Sequence, residues 1–265
     1  MPAAHGIRQM SISPPHVLLL PGLVCDAEVW KHQARCLTGI TTVTAADYGT
    51  SDSLVEMARV ALERAPERFA VAGHSMGGRV AYEILRRAPE RVMGVALLDT
   101  AYRGWVPGEA GERERAERME LVDLARSQGM RVMARRWVQR MVHPARLSDD
   151  RLLGGIIEMF GRKTPEIFAA HIKALLGRPD AMPVLCGIRC PTMVLCGRED
   201  AWCLLATHRE MAALIPRSKL VVIENCGHMS PMERPLEVTT AMREWLASLV
   251  RGDAAASRIL TPGFI

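Results

Sequence analysis

Ser75 stands at the centre of Gly73-His74-Ser75-Met76-Gly77, with a glycine two residues before it and another two residues after it. A serine so flanked can sit where a strand reverses sharply into a helix. The glycines let neighbouring backbone pass close by, and the turn lifts the hydroxyl to the edge of a sheet. The chemistry on offer is nucleophilic, an alcohol that attacks a carbonyl and holds the acyl group. A purely structural glycine-rich turn is the other reading of the same five residues, and context separates the two. Phe69 to Ala72 is a short apolar run of strand type, and Val80, Ile84 and Leu85 follow at helical spacing, so a strand and a helix are expected on the required sides.

At its ordinary pKa a serine hydroxyl is a poor nucleophile, so it needs a base to take its proton and a third group to orient that base. His228, in Asn225-Cys226-Gly227-His228-Met229, follows the expected strand Lys219 to Ile223 and is the candidate base. His5 and His16 flank the first strand; His32, His143, His171 and His208 fall in helical or cap segments; His74 is read as packing beside the serine. Three carboxylates compete for the orienting role. Asp200 and Glu199 lie in Gly197-Arg198-Glu199-Asp200 after one strand, and Asp99 lies after another. Asp99 also reads as a turn cap with Thr100, and Glu199 as a surface charge beside Arg198.

These residues need a common scaffold, and the pattern supplies an α/β one. His16 to Leu20, Thr42 to Ala46, Phe69 to Ala72 and Val92 to Leu98 read as strands, while Trp30 to Leu37, Ser53 to Ala65 and the stretch after Ser75 read as helices. Such alternation implies a mostly parallel twisted sheet flanked by helices. It stops near Arg103 and resumes at Thr192 to Cys196, followed by a helix at Leu204 to Ile215, a strand at Lys219 to Ile223 and a closing helix at Leu236 to Val250. Between the two stretches, breaks near Gly129, Pro144, Pro165 and Gly177 divide a helical pattern into about four pieces. The expected organisation is a core domain at 1–102 and 181–265, interrupted by an all-helical cap at 103–180. Ile7 to Ile12 reads as a frayed tail or a remnant edge strand, and the last fifteen residues as a weakly ordered tail.

Gly73-His74-Ser75-Met76-Gly77-Gly78, the Pro21-Gly22 loop and Gly227-His228 together resemble the α/β-hydrolase fold superfamily. Leu20-Pro21-Gly22-Leu23-Val24-Cys25-Asp26, followed by Trp30, is similar to the first loop of small bacterial esterase-like members with a helical cap. The resemblance runs from about Val17 to Val250. It implies the chain order serine, acid, histidine, with Asp200 at the position where the family keeps its acid. It also implies an oxyanion hole of two backbone amides, one from Met76 and one from Leu23, with Val24 as the other candidate because proline stands at position 21 where the family more often has histidine. The implied activity is that of a cofactor-independent serine hydrolase, acting on a small carboxylic ester through an acyl-enzyme. Lactone, thioester or carbon–carbon bond hydrolysis and perhydrolysis use the same parts. Serine in place of aspartate at the nucleophile argues against epoxide hydrolases and dehalogenases. A reading of another class is a ligand-binding protein on a hydrolase scaffold with little turnover.

Composition narrows the rest. The 265 residues, 49% of them apolar, suffice for one α/β domain with an insertion. A net charge of +5 comes from 34 basic and 29 acidic residues interspersed along helices, which argues against nucleic acid; a small-molecule substrate is what the hydrolase resemblance implies. The segment 103–180 holds 15 basic and 11 acidic residues, an excess that suits a solvated helical surface or a weak pull on acidic acyl groups. No apolar run is long enough for a membrane span or an export signal, so a cytoplasmic protein is expected. Seven cysteines without paired spacing predict reduced thiols, with neither a disulfide framework nor a metal site. Val24, Trp30, Trp105, Trp202 and Met229 are the candidate pocket residues, and Cys25 and Cys203 are expected near the pocket mouth as lining rather than as nucleophiles.

Overall fold

A computed structural model describes residues 15–259, with side chains described from 15 to 250. The expected strand or tail at Ile7 to Ile12 lies outside the described residues. Six strands form one sheet in the order β2-β1-β3-β4-β5-β6: β1 (Val17–Leu20), β2 (Val43–Ala45), β3 (Phe69–His74), β4 (Val92–Leu98), β5 (Thr192–Gly197) and β6 (Ser218–Ile223). Every pair in it is parallel. Parallel strands are covered by helices on both faces, which is why every residue of β1, β3 and β5 is buried and all but the terminal His74 and Thr192 lack a polar side chain.

Crossover helices provide the cover. They are α1 (Lys31–Leu37), α2 (Leu54–Glu63) and α3 (Met76–Arg87) in the first half of the chain. The Ser53 hydroxyl caps α2 by accepting the Glu56 amide at 3.2 Å. Four helices then replace strands: α4 (Glu109–Gln128), α5 (Met130–Val138), α6 (Asp150–Gly161) and α7 (Pro165–Leu176). Thr164 and Asp149 cap α7 and α6 with their side chains. The chain leaves the sheet and returns to it at one place. Ala181 donates its amide to the Tyr102 carbonyl at 2.9 Å and Trp105 donates to that of Arg178 at 3.0 Å, so the two crossings are tied side by side.

After the short α8 (Met182–Gly187), strand and helix alternate again through α9 (Leu205–Leu214), α10 (Ser230–Glu233) and α11 (Pro235–Ile259). The last of these corrects the sequence reading. The closing helix passes Val250 and continues to Ile259, where a loose tail was expected, because nothing in Arg251-Gly-Asp-Ala-Ala-Ala-Ser-Arg-Ile259 forces a stop and three consecutive alanines favour helix. Among the described residues no helix is long and apolar enough to cross a membrane.

Candidate active site

Parallel strands place their following loops at one edge of the sheet, and here β1, β3, β4, β5 and β6 deliver Leu23, Ser75, Asp99, Asp200 and His228 to that edge. Ser75 follows β3 directly and begins α3, with φ 54° and ψ −116°. A side chain in this region is strained by roughly 1–3 kcal/mol, and such strain persists only where the surroundings enforce it. Those surroundings are tight. A Cβ on Gly77 would lie 2.0 Å from the Leu20 carbonyl oxygen, so the first turn of α3 can pack against the end of β1 only without a side chain. The Thr100 hydroxyl donates to the Ser75 carbonyl at 2.7 Å and the Ser75 amide donates to that of Leu98 at 2.9 Å, pinning the turn to the end of β4.

Ser75 Oγ lies 2.9 Å from His228 Nε2, and His228 Nδ1 lies 2.8 Å from Asp200 Oδ2. The other Asp200 oxygen accepts the amides of Trp202 and Cys203, each at 2.9 Å. Burial alone would push the Asp200 carboxyl up, but the adjacent imidazole and these two amides outweigh it and hold the pKa below the usual value. For His228, burial disfavours the cation, yet the Asp200 carboxylate prevails and raises the imidazole well above its usual range. Gly197 makes the pairing of the two loops possible, since a Cβ there would come 2.1 Å from the Gly227 carbonyl oxygen. Asp200, Cys203 and His228 also bring ligand-type atoms within 4.8 Å of one another, but both ring nitrogens of His228 are already engaged, by Asp200 and Ser75.

The two competing carboxylates have other partners. Asp99 is fully buried with φ 48°, and its oxygens accept the amides of Gly197 at 3.0 Å and Ser230 at 3.2 Å. Burial and the nearby negative charge of Asp200 raise its pKa well above normal. Glu199 accepts the Cys226 amide at 3.0 Å. His74 is buried and donates Nε2–H to the His228 carbonyl at 2.8 Å, and burial lowers its pKa to about 3, so it is a neutral brace. A buried acceptor absent from the sequence reading is Glu233, which takes the amides of Gly227 and Met229 at 3.1 Å and of His143 at 2.8 Å. The available signal was a glutamate five residues after His228, at the end of the short Ser230-Pro-Met-Glu233 stretch that becomes α10. His208 lies in α9, a helical segment as expected, and its Nε2 accepts the Thr100 amide at 3.1 Å.

The profile of the alpha/beta hydrolase family matches residues 17–241, which is most of the chain. The chain belongs to the α/β-hydrolase family. It is 27% identical over 231 residues to the pimeloyl-[acyl-carrier protein] methyl ester esterase of Nitrosomonas europaea, covering 81% of this chain and 88% of that one. Its fold superposes with a TM-score of 0.81 on a thermophilic esterase from Thermogutta terrifontis, at 29% identity over 89% of this chain and 91% of the other. The enol-lactonase of Burkholderia xenovorans shares the fold with a TM-score of 0.77 at 22% identity, covering 90% of this chain and 94% of the lactonase.

In this α/β hydrolase Ser75 and His228 open onto a cavity of about 670 Å³. Leu23, Met76, Trp202 and Met229 border it, as do Cys25 and Cys203. Burial raises both thiols, that of Cys25 to about 12, so neither is a ready nucleophile. Among the described residues the amides of Leu23 and Met76 have no hydrogen-bond partner in the protein. Three expected pocket residues do not border the cavity. Trp30 is fully buried with its ring edge-on to His74 at 6.3 Å, Val24 is turned into the core with φ 51°, and Trp105 packs on Gly111 of α4 with Arg115 over its ring. Val24 and Trp30 follow the Pro21-Gly22 loop and Trp105 begins the helical segment, yet none of the three is among the residues that line the cavity. The aromatic wall is instead Trp137, whose ring stacks on Trp202 at 5.3 Å; Trp202 in turn meets the His228 ring edge-on at 4.9 Å.

Proposed function

We propose that this protein is a cofactor-independent serine hydrolase acting on small carboxylic esters. Ser75 is the nucleophile, His228 the base, Asp200 the orienting acid, and the amides of Leu23 and Met76 the oxyanion donors. The observation that carries this reading is the continuous chain of hydrogen bonds from Ser75 Oγ through the His228 ring to Asp200, ending on a serine in strained backbone. The names of two similar proteins, both esterases, support the ester class.

Ser75 Oγ attacks the ester carbonyl as its proton moves to His228 Nε2. The Asp200 carboxylate balances the resulting imidazolium, and the negative charge on the former carbonyl oxygen is met by the two unpaired amides, preorganised donors of the kind worth about 3–4 kcal/mol each in a dry site. Collapse of the tetrahedral intermediate expels the alkoxide, which takes the proton from Nε2 and leaves an acyl-Ser75. Water then gives a proton to the same nitrogen as it attacks the acyl carbonyl, and when the second tetrahedral intermediate collapses, Ser75 Oγ leaves and takes that proton back from Nε2, releasing the carboxylic acid and the free serine.

Residues 103–180 act in this scheme as a cap that holds Trp137 and Phe160 over the acyl site and limits water entry. The seven cysteines are all unpaired, which supports a cytoplasmic location. The test is labelling by a fluorophosphonate together with turnover of p-nitrophenyl esters of increasing acyl length. Covalent modification at Ser75 with fastest turnover of short acyl chains is the expected result. Absence of both labelling and turnover would leave a ligand-binding role.

A further inference from the structure

The charged groups around the cavity are not evenly matched. Five arginines and three glutamates line it, and at one wall Arg118 on α4 and Arg178 just after α7 share the single carboxylate of Glu114, with Arg79 on α3 close enough to feel the charge of both. Arg178 grips Glu114 with both terminal nitrogens, at 2.8 Å and 2.7 Å, and Arg118 donates to it from Nε at 2.9 Å. Arg79 is left with the carbonyl of Arg103 at 3.0 Å and has no carboxylate partner among the described residues. The Nε of Arg178 is buried without a partner. Elsewhere on the rim, Arg136 pairs with Glu120, and Arg140 and Glu117 contribute one charge of each sign, so the excess of two positive charges falls on this wall.

These guanidiniums are not solvated surface groups. The Arg178 side chain is 12% exposed and those of Arg118 and Glu114 are 26% and 27% exposed. Burial and the repulsion of Arg178 lower Arg79 to about 10, which still leaves it charged at neutral pH. Three cations facing one anion in a partly desolvated wall is an unfavourable arrangement unless something supplies negative charge. Guanidinium forks are shaped for the two oxygens of a carboxylate or a phosphate. Arg79 lies one helical turn beyond Ser75, about 6 Å along the axis of α3, so an anion bound there would sit a few bonds from a carbonyl at Ser75.

We propose that this wall is an anion-binding subsite, and that the substrate is an ester carrying a carboxylate or phosphate remote from the scissile bond. The inference deepens the hydrolase reading and rests on it for the word ester; the subsite itself does not require turnover. Glu114 holds Arg118 and Arg178 in place, and Arg79 with the free edge of Arg178 receives the anion. A neutral ester of the same length would leave these donors unpaired.

The experiment compares matched pairs on the intact protein: monoethyl adipate against ethyl hexanoate, and butyl acetate bearing a terminal phosphate against butyl acetate. The anionic member of at least one pair should have kcat/KM about tenfold higher or more, the range expected for charge-assisted hydrogen bonds, and the favoured pair tells carboxylate from phosphate. Arg79→Gln and Arg178→Gln should each bring that ratio close to one. Ratios near one in the wild type overturn the proposal, and so does a preference that survives both substitutions. Calorimetry with the Ser75→Ala variant repeats the comparison as binding alone. Tighter binding of the anionic member, lost when Arg79→Gln is added, supports the subsite even if no ester is turned over; equal binding of both members overturns it even if esters are hydrolysed.

Discussion

Glu233 holds the two amides that flank His228, accepting Gly227 N–H and Met229 N–H at 3.1 Å each, while the His228 amide itself donates to the Met141 carbonyl at 2.7 Å. The same carboxylate takes the His143 amide, and Arg146 donates to the Glu233 carbonyl at 2.9 Å, so the base loop and the segment after α5 share one anchor. Glu233 touches no reacting atom and is a positioning residue.

Glu233→Gln keeps the volume but turns one acceptor into a donor that faces amides. The expected loss is about 1–3 kcal/mol of stability, a fall of several degrees in melting temperature, and kcat lower by roughly tenfold to a hundredfold with KM little changed. The two readouts are thermal melting and steady-state kinetics on one short-chain ester. Wild-type kcat together with a wild-type melt would show that His228 is held by other contacts.

Asp200 and Asp99 should separate cleanly on conversion to asparagine. Asp200→Asn leaves His228 without its charged partner and should lower kcat by about four orders of magnitude. Asp99→Asn tolerates the positive φ, but it cannot accept the Gly197 and Ser230 amides together, so stability should fall by about 1–3 kcal/mol while turnover stays within about tenfold of wild type. The opposite pattern would make Asp99 the orienting acid.

The pH dependence has a defined sign. His228 works as a base only when unprotonated, and Asp200 holds its pKa well above the usual histidine value, so kcat/KM should rise with pH through a limb placed above about 6.5. Activity is therefore lost as pH falls through that limb. In Asp200→Asn the raising influence is gone, and the limb of the residual activity should move to lower pH. A limb below pH 6 in the wild type would contradict the strong ion pair.

Gly77→Ala should be among the most damaging single-methyl changes in the chain. Its Cβ would meet the Leu20 carbonyl oxygen at 2.0 Å, and neither β1 nor the first turn of α3 is a flexible side chain that can step aside. The expected outcome is insoluble protein, or a folded one that no longer reacts with a fluorophosphonate. Soluble protein labelled at the wild-type rate would mean that the turn around Ser75 relaxes.

What the residue order determined by itself is whatever depends on neighbours in the chain. Apolar runs of strand length alternating with helical spacing specify the parallel sheet, and the resemblance to the family rests on the motifs at Pro21-Gly22, Gly73 to Gly78 and Gly227-His228. The glycines around Ser75 specify a tight turn, because only a residue without a side chain fits there, and the order of Ser75, Asp200 and His228 follows the order of the strands. What only the folded chain decides is anything that depends on distance through space. Asp99, Glu199 and Asp200 are alike as residues after strands, and the hydrogen bond at 2.8 Å to His228 belongs to one of them. Trp30 and Trp137 are both large apolar residues; the side of the backbone on which each ring falls puts the first in the core and the second on the cavity wall. Arg79, Arg118 and Arg178 are scattered over a hundred positions and each reads as an ordinary surface cation. The shared grip of Arg118 and Arg178 on Glu114, with Arg79 beside them, exists only once α3, α4 and the end of α7 pack together, and electrostatic energy depends on that separation and on the water excluded from it.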